Sequence, residues 1–437
     1  MTRRKPSRLL YAYYGDDFTG STDVLELLGL HGVASVLFAR TPTARDLAAF
    51  AHCRAIGIAG ESRSRNPAWM SRSLPVAFRG LRRLGAPVNH YKVCSTFDSS
   101  PAVGNIGRAI EIGRAIFGAS TVAVVAGAPR LGRAVVFSNL FATANGRFCR
   151  IDRHPTMRCH PITPMSEADL RLHLGKQTSL RIGAVDLEAF RSQSVEAQYQ
   201  REEDAGAQAV VFDGLSEEML EETARLVWDR AGRRDLFAAG SSGLTHGLLL
   251  HWRSRGIISA AKPAPAAKPV DRLLVLSGSC SPVTAKQIRG ARKAGFAALR
   301  FDAATAGTEL ATKALRALRL GKSVVLYTAL GPLHRKERHG QERYGERFGA
   351  QLGDLLHRIV VESGVGRVLI AGGDTSTHAV KQLGINALTF AAPLVPGVPL
   401  CRTHAPGSPL DRLELALKGG QMGADDFFVR VRDGFTD

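Results

Sequence analysis

Tyr13-Tyr14-Gly15-Asp16-Asp17-Phe18-Thr19-Gly20-Ser21-Thr22-Asp23 places three carboxylates and three aliphatic hydroxyls between an apolar run and a helical pattern. Residues 9–14 read as a buried strand, and Val24-Leu25-Glu26-Leu27-Leu28 as the apolar face of the helix that follows. Strand, polar turn and helix form the arrangement in which open α/β sheets bind ligands, beyond the carboxyl ends of their strands. A helix N-cap accounts for Asp16 or Asp17 alone. It does not account for two adjacent carboxylates with Asp23 a further turn along, so the turn is expected to face a polar ligand.

Outward from this turn, 437 residues exceed one ordinary hydrophobic core, and two domains are expected. With 45% hydrophobic and 22% charged residues the composition is that of a soluble globular protein. The formal charge of +19 admits nucleic acid, a membrane surface or an anionic small molecule as partner. The basic residues are scattered in short groups such as Arg82-Arg83 and Arg233-Arg234. They therefore read as solvated faces, with a few Arg and Lys recruited to bind phosphate or carboxylate. The apolar run after Met1-Thr2-Arg3-Arg4-Lys5 is too short for a signal peptide, and no run has the length of a membrane span. Six dispersed cysteines without a C-x-x-C pair argue against a zinc ribbon or a disulfide framework. A reducing cytoplasm is the expected setting, with a homodimer as the default assembly.

Lys262-Pro263-Ala264-Pro265-Ala266-Ala267-Lys268-Pro269 has the composition of a semi-rigid linker. It separates an N-terminal domain, residues 1–261, from a C-terminal domain, residues 270–437. On both sides, short apolar runs alternate with helical patterns. Residues 33–38, 121–126 and 209–212 are such runs before the linker, and residues 272–276, 323–327 and 367–370 after it. The alternation predicts an α/β fold of two domains, with mainly parallel sheets flanked by helices.

Beyond the linker, Leu273-Leu274-Val275-Leu276 feeds Ser277-Gly278-Ser279-Cys280-Ser281-Pro282 and then a helical pattern. Backbone N–H groups and the helix dipole favour an anion at such a junction. Taken alone, the segment reads more readily as a plain strand-to-helix turn, with Ser as N-cap and Pro in the first turn. Val368-Leu369-Ile370-Ala371 leads likewise into Gly372-Gly373-Asp374-Thr375-Ser376-Thr377. A third such piece is Lys418-Gly419-Gly420-Gln421-Met422-Gly423. Together they resemble a nucleotide cradle. None is a standard phosphate signature, since residues 127–132 approach the Walker pattern but Arg133-Ala134 stands where Lys-Ser/Thr is needed. No dinucleotide fingerprint follows a strand, and Gly240-Ser241-Ser242-Gly243 lacks the spacing of a nucleophile elbow.

In the N-terminal half, Tyr91-Lys92-Val93-Cys94-Ser95-Thr96-Phe97-Asp98 ends a strand. Lys92, Ser95 and Thr96 there suit a carboxylate, through charge and hydroxyl contacts. His154, Cys159 and His160 sit close in sequence, but structural zinc usually takes four ligands in two spaced pairs. No metal site is expected there.

These stretches resemble the four-carbon acid sugar kinases. The family signature Asp-Asp-x-Thr-Gly-x-x-Asp stands here as Asp16-Asp17-Phe18-Thr19-Gly20-Ser21-Thr22-Asp23. Its Ser-Gly-Ser turn corresponds to Ser277-Gly278-Ser279, and its Gly-Gly-Asp/Glu-Thr-Ser turn to Gly372-Gly373-Asp374-Thr375-Ser376. Its Lys-Ser-Gly-Asn-Phe-Gly segment departs here to Lys418-Gly419-Gly420-Gln421-Met422-Gly423, which keeps the backbone roles of Gly420 and Gly423. A further departure is Phe97-Asp98, where many members carry Leu-Arg. The resemblance also makes His160-Pro161-Ile162-Thr163-Pro164-Met165 a loop of the substrate cleft.

The resemblance implies ATP and Mg²⁺ as cofactors, an N-terminal acid-sugar domain, a C-terminal ATP domain and an active site in the interdomain cleft. The expected activity is phosphorylation of the terminal hydroxyl of threonate, erythronate or 3-oxotetronate. Asp17 is the expected catalytic base, with Asp16 and Asp23 orienting substrate hydroxyls or a Mg²⁺ shell. Thr19, Lys92, Ser95 and Thr96 complete the substrate set. With Asp98 in place of the Arg, the substrate carboxylate falls to Lys92 or to an Arg such as Arg130 or Arg133. The rival readings are another nucleotide-dependent α/β enzyme, such as a dehydrogenase, and a basic nucleic-acid-binding protein. The first lacks a dinucleotide fingerprint and the second an aromatic platform.

Overall fold

The structure, a computed structural model, describes residues 9–435 apart from 145, 161, 233–234, 261–262, 302–306 and 332–334. For residues 335–348 and 374–376 it describes the backbone alone. The chain divides into two compact units: residues 1–35 with 41–262, and residues 36–40 with 263–437.

The first unit is built on seven parallel strands in the spatial order Ala55–Ala59, Tyr11–Gly15, Val88–Lys92, Leu236–Gly240, Val122–Val125, Ala209–Phe212 and Ile182–Val185. They are continuous apolar runs because helices cover both faces. The chain leaves Tyr11–Gly15 toward one side, to Ala55–Ala59, and returns on the other side as Val88–Lys92. The switch point of this sheet therefore lies at the carboxyl ends of those two strands. In the core, Tyr11 Oη bonds His90 Nδ1 at 2.6 Å and Thr245 Oγ1 at 2.8 Å, while His90 Nε2 lies 3.1 Å from the Gly240 carbonyl. Burial drops the His90 pKa to about 3, so this ring is a neutral tie between strands. A small antiparallel sheet, Arg133–Val136, Asn139–Ala144 and Arg147–Arg150, is also present.

The second unit has parallel strands in the order Ala297–Arg300, Val324–Tyr327, Leu274–Ser277, Arg367–Ala371 and Glu414–Lys418. Beyond Glu414–Lys418 the antiparallel pair Val398–His404 and Ala387–Val395 extends the sheet. Ser35–Phe38 then pairs antiparallel with Ala387–Val395, Phe38 standing opposite Ala387. Here the switch point lies between Leu274–Ser277 and Arg367–Ala371. Its core gathers Val275, Ile288, Phe296, Leu369, Phe427 and Phe428.

The expected fold class is observed. One boundary differs with consequence, because the first helix runs Phe18–Leu30 instead of starting near Val24. Asp17 is its N-cap and accepts from Gly20 N. Thr19 and Asp23 therefore project from helical turns and not from a loop.

Candidate active site

Three loops meet at the switch point of the first unit. Asp16 N donates to the Lys92 carbonyl at 2.9 Å, and Arg63 N donates to the Asp16 carbonyl at 3.1 Å. The loop after Tyr11–Gly15 is thus pinned to the ends of both neighbouring strands. Gly20 is needed for a close approach, since a Cβ there would stand 2.5 Å from Lys92 Nζ and 2.7 Å from Asp17 Oδ1. That explains a glycine inside the first helical turn, where it otherwise costs about 1 kcal/mol against alanine.

Asp17 accepts hydrogen bonds within the protein on both carboxylate oxygens. Its Oδ1 accepts from Gly20 N at 2.5 Å and its Oδ2 from Arg63 Nη1 at 3.2 Å. Asp16 is different, because its Oδ1 is buried without a hydrogen-bond partner among the described residues. Burial, reinforced by the neighbouring Asp17 charge and opposed by Arg63 and Lys92, pushes the Asp16 carboxyl up to about 7. Lys92 is buried too, its nearest ion-pair partner being Asp23 at 4.0 Å.

Arg63, not singled out by any motif, links the cluster. Its Nη2 reaches Asp98 Oδ2 at 2.9 Å and Oδ1 at 3.2 Å. Asp98 also accepts from Thr96 Oγ1 at 2.5 Å and from Thr163 Oγ1 at 3.0 Å. Burial alone would raise the Asp98 pKa, but Arg63 and the further contacts bring it down to about 2. Asp98 thus draws in a cation from another loop. Thr96 turns inward to Asp98 and to Cys94 Sγ, 3.0 Å away, and Ser95 is buried beside it. Arg130 holds Asp23 at 2.8 Å and Glu26 at 3.2 Å, so its guanidinium already serves two carboxylates. His154 Nδ1 accepts from the amides of Thr156 and Met157, and His160 Nδ1 from that of Thr163. These rings organise their own loop.

In the second unit the three small-residue turns converge on the ends of adjacent strands. Gly278 N bonds the Ala371 carbonyl at 3.0 Å, and Gly372 N bonds the Lys418 carbonyl at 2.8 Å. A Cβ on Gly420 would stand 2.7 Å from Ser279 Oγ. Gly372 has φ 117°, open to glycine, and Gly373 begins the helix Gly373–Gln382. The side chains of Asp374, Thr375 and Ser376 lie outside the described residues. Gln287, fully buried, donates to the carbonyls of Met422, Gly423 and Ala424, which fixes the turn that ends at Gly423. Ser281 caps the helix Pro282–Lys293, with Pro282 in its first turn. Two buried hydroxyls, Ser277 Oγ and Thr328 Oγ1, have no partner among the described residues.

Lys418 ends the strand Glu414–Lys418 at these turns. It is wholly buried, and its ammonium bonds Thr284 Oγ1 and the carbonyls of Gly419 and Gly420. Burial lowers it to about 7. Partnerless hydroxyls and a cation that has no carboxylate partner among the described residues suit phosphate oxygens.

Among the described residues no helix is long and apolar enough to cross a membrane, and no three His, Cys, Asp or Glu side chains group as a metal site. Comparison with known proteins gives two family matches: a sugar-binding N-terminal domain over residues 11–248 and a nucleotide-binding C-terminal domain over residues 274–428. The chain is 44% identical to a 3-oxo-isoapionate kinase of Paraburkholderia graminis, over 98% of this chain and 95% of the relative. It is 32% identical to a 3-oxo-tetronate kinase of Methylobacterium radiotolerans, over 96% and 97%. Among solved structures, a Salmonella typhimurium protein superposes with TM-score 0.74 at 26% identity, over 96% of this chain and 98% of that one. With both halves matched in order and curated kinases aligned almost end to end, the chain belongs to the four-carbon acid sugar kinase family.

Proposed function

We propose that this chain transfers the γ-phosphoryl group of ATP to the terminal hydroxyl of a four-carbon sugar acid of the threonate, erythronate or 3-oxotetronate type. The first unit would hold the acid and the second the nucleotide. The observation that carries the reading is Asp16, a buried carboxylate with one oxygen unoccupied at the switch point of the unit that matches a sugar-binding domain. Phosphoryl transfer asks for positioning, charge neutralisation and a group to take the hydroxyl proton.

Asp16 is our choice for that proton, in place of Asp17. Both Asp17 oxygens already hold donors, Gly20 N and Arg63, whereas Asp16 Oδ1 holds none among the described residues. As the substrate oxygen forms its bond to phosphorus, the bond to the ADP oxygen breaks and the hydroxyl proton passes to Asp16. Lys92 lies beside it as a counter-charge. Asp23, Thr19, Ser95 and Thr96 shape the surrounding surface, and Arg130 acts through Asp23.

Mg²⁺ fits as the companion of ATP. It usually keeps several waters and is held by few protein groups together with substrate phosphates. The Ser277 and Thr328 hydroxyls, which lack partners, are the groups that would join it. Bound there, it neutralises phosphate charge. All six cysteines are free thiols, and we place the activity in the reducing cytoplasm.

The test is ADP release from ATP and Mg²⁺ across a panel of four-carbon acids, with sugars and nucleosides as controls. Saturable turnover with an acid and none with the controls is expected. ATP binding without turnover of any acid would remove the proposal. Lys418 supplies a second check. The three N–H groups of Lys418 are held by Thr284, Gly419 and Gly420, so it would act on phosphate through its charge, and in the free protein that charge is lost as pH rises through about 7. ATP affinity should therefore fall with rising pH above 7, and Lys418→Met should weaken binding and flatten that slope, as read by calorimetry.

A further inference from the structure

Four arginines lie on the loops around the switch point of the first unit: Arg63, Arg65, Arg130 and Arg133. Three have carboxylate partners. Arg63 holds Asp17 and Asp98, Arg65 holds Glu61, and Arg130 holds Asp23 and Glu26. Arg133 has none among the described residues. Its Nη1 donates to the carbonyls of Leu131 at 2.7 Å and Gly132 at 3.1 Å, and its buried Nε has no partner. Its electrostatic neighbours include the Cys94 thiol and His154, neither of them a carboxylate.

A partly buried guanidinium without an anion is destabilising, because desolvation penalises the charge and nothing on the chain returns it. Burial accordingly holds the Arg133 pKa below its ordinary range. Its position is also defined. Arg133 opens the strand Arg133–Val136, directly after the turn Pro129–Leu131 that follows Val122–Val125. Cys94, two residues beyond Lys92, interacts with both Arg133 and Arg63. The loop that carries Cys94, Ser95 and Thr96 thus neighbours two guanidiniums, one with carboxylate partners and one without any among the described residues.

We infer that Arg133 binds the carboxylate of the substrate, and that this ion pair makes the site select an acid over the uncharged polyol of the same length. The inference rests on the proposed kinase reading and names the anion anchor within it. The polarity is chemically sensible. Asp16, Asp17 and Asp23 would repel a carboxylate, so the hydroxyl end belongs near them and the acid end near Arg133.

The test measures equilibrium binding of threonate, erythronate and the corresponding tetritols to the full chain by calorimetry, with steady-state kinetics alongside. Arg133→Met should raise Kd and KM for the acid about 100-fold, the size of effect seen when one member of a desolvated charge pair is removed. kcat at saturation and tetritol binding should stay within about threefold. Arg133→Lys keeps the charge and should recover at least about a tenth of the affinity. The melting temperature of Arg133→Met should be unchanged or higher, since a buried unpaired charge has gone. Acid affinity unaltered in Arg133→Met, a lysine variant as defective as the methionine variant, or a loss of stability with acid and tetritol affected alike would each overturn the inference. So would a wild-type chain that binds no acid. Acid binding without turnover would defeat the kinase reading and leave the Arg133 variants decisive for this one.

Discussion

Asp16→Asn should lower kcat by about 10² to 10⁴, the range expected when a positioned general base is removed. It should leave ATP affinity and the fold intact. Asparagine keeps the shape of the side chain and cannot take the hydroxyl proton. The pH dependence separates this role from a structural one. In the folded chain the Asp16 carboxyl stands at about 7, raised from 3.8 by burial and by Asp17. Only the ionised form is a base, so kcat/KM of the wild type should rise with pH and level off above about 7. That limb should vanish from the residual activity of Asp16→Asn.

The stability effect has the opposite sign. A carboxyl whose folded value is raised binds its proton more tightly in the native state, so stability falls as pH climbs from 3.8 toward 7. Asp16→Asn should therefore melt at or above the wild-type temperature at neutral pH and gain nothing in acid. Asp17→Ala should behave in the reverse way. It loses the N-cap of Phe18–Leu30, worth about 1 kcal/mol, with a smaller effect on kcat. An Asp16→Asn enzyme within tenfold of wild-type turnover, or one that kept the acidic limb, would return the base assignment to Asp17.

Most of the fold is legible from residue order because its strands are continuous apolar runs punctuated by Gly, Ser and Asp. The start of the first helix is not. Thr19, Gly20, Ser21 and Thr22 look like turn residues, and only the Asp17 cap and the packing of Gly20 against Lys92 draw them into a helix. The pairing of Ser35–Phe38 with Ala387–Val395 is equally hidden, since no local pattern announces a partner so distant in sequence. At the site, Asp16, Asp17 and Lys92 are visible as a motif. Arg63 is not, because it lies in a loop after Ala55–Ala59 that reaches the site only through strand order. Arg130 reads as an anion binder until its carboxylate partners come into view. The chemical consequence of Asp98 is legible only in part: the substitution is obvious, whereas the cation that answers it is not.

That cation sets the other large effect. Arg63→Met should destabilise the first unit by about 3 kcal/mol, the lower end of what breaking a buried ion pair costs when one charge stays behind. The lower end applies because the Arg63 head is 24% exposed while Asp98 is 0% exposed, and because Thr96 and Thr163 still donate to the carboxylate. In the wild type, Asp98 at about 2 lies below its ordinary 3.8. Its contribution is therefore present above 3.8 and lost as pH falls toward 2. Without Arg63, burial is left as the main influence and the Asp98 value moves above 3.8. The variant then loses stability as pH rises, so the gap in melting temperature between wild type and Arg63→Met should widen from acid to neutral pH. Arg63→Met combined with Asp98→Leu removes both charges and should recover most of the lost stability. It should not recover activity, because Asp17 has lost its Arg63 contact and Asp16 a neighbouring positive charge. A gap below 1 kcal/mol at neutral pH, or one that does not change with pH, would show that Asp98 is satisfied without Arg63. If the gap behaves as expected, Arg63 is the cation that answers the buried Asp98 carboxylate. Arg63 then stabilises the charge on Asp17, and Arg133 remains available for the substrate.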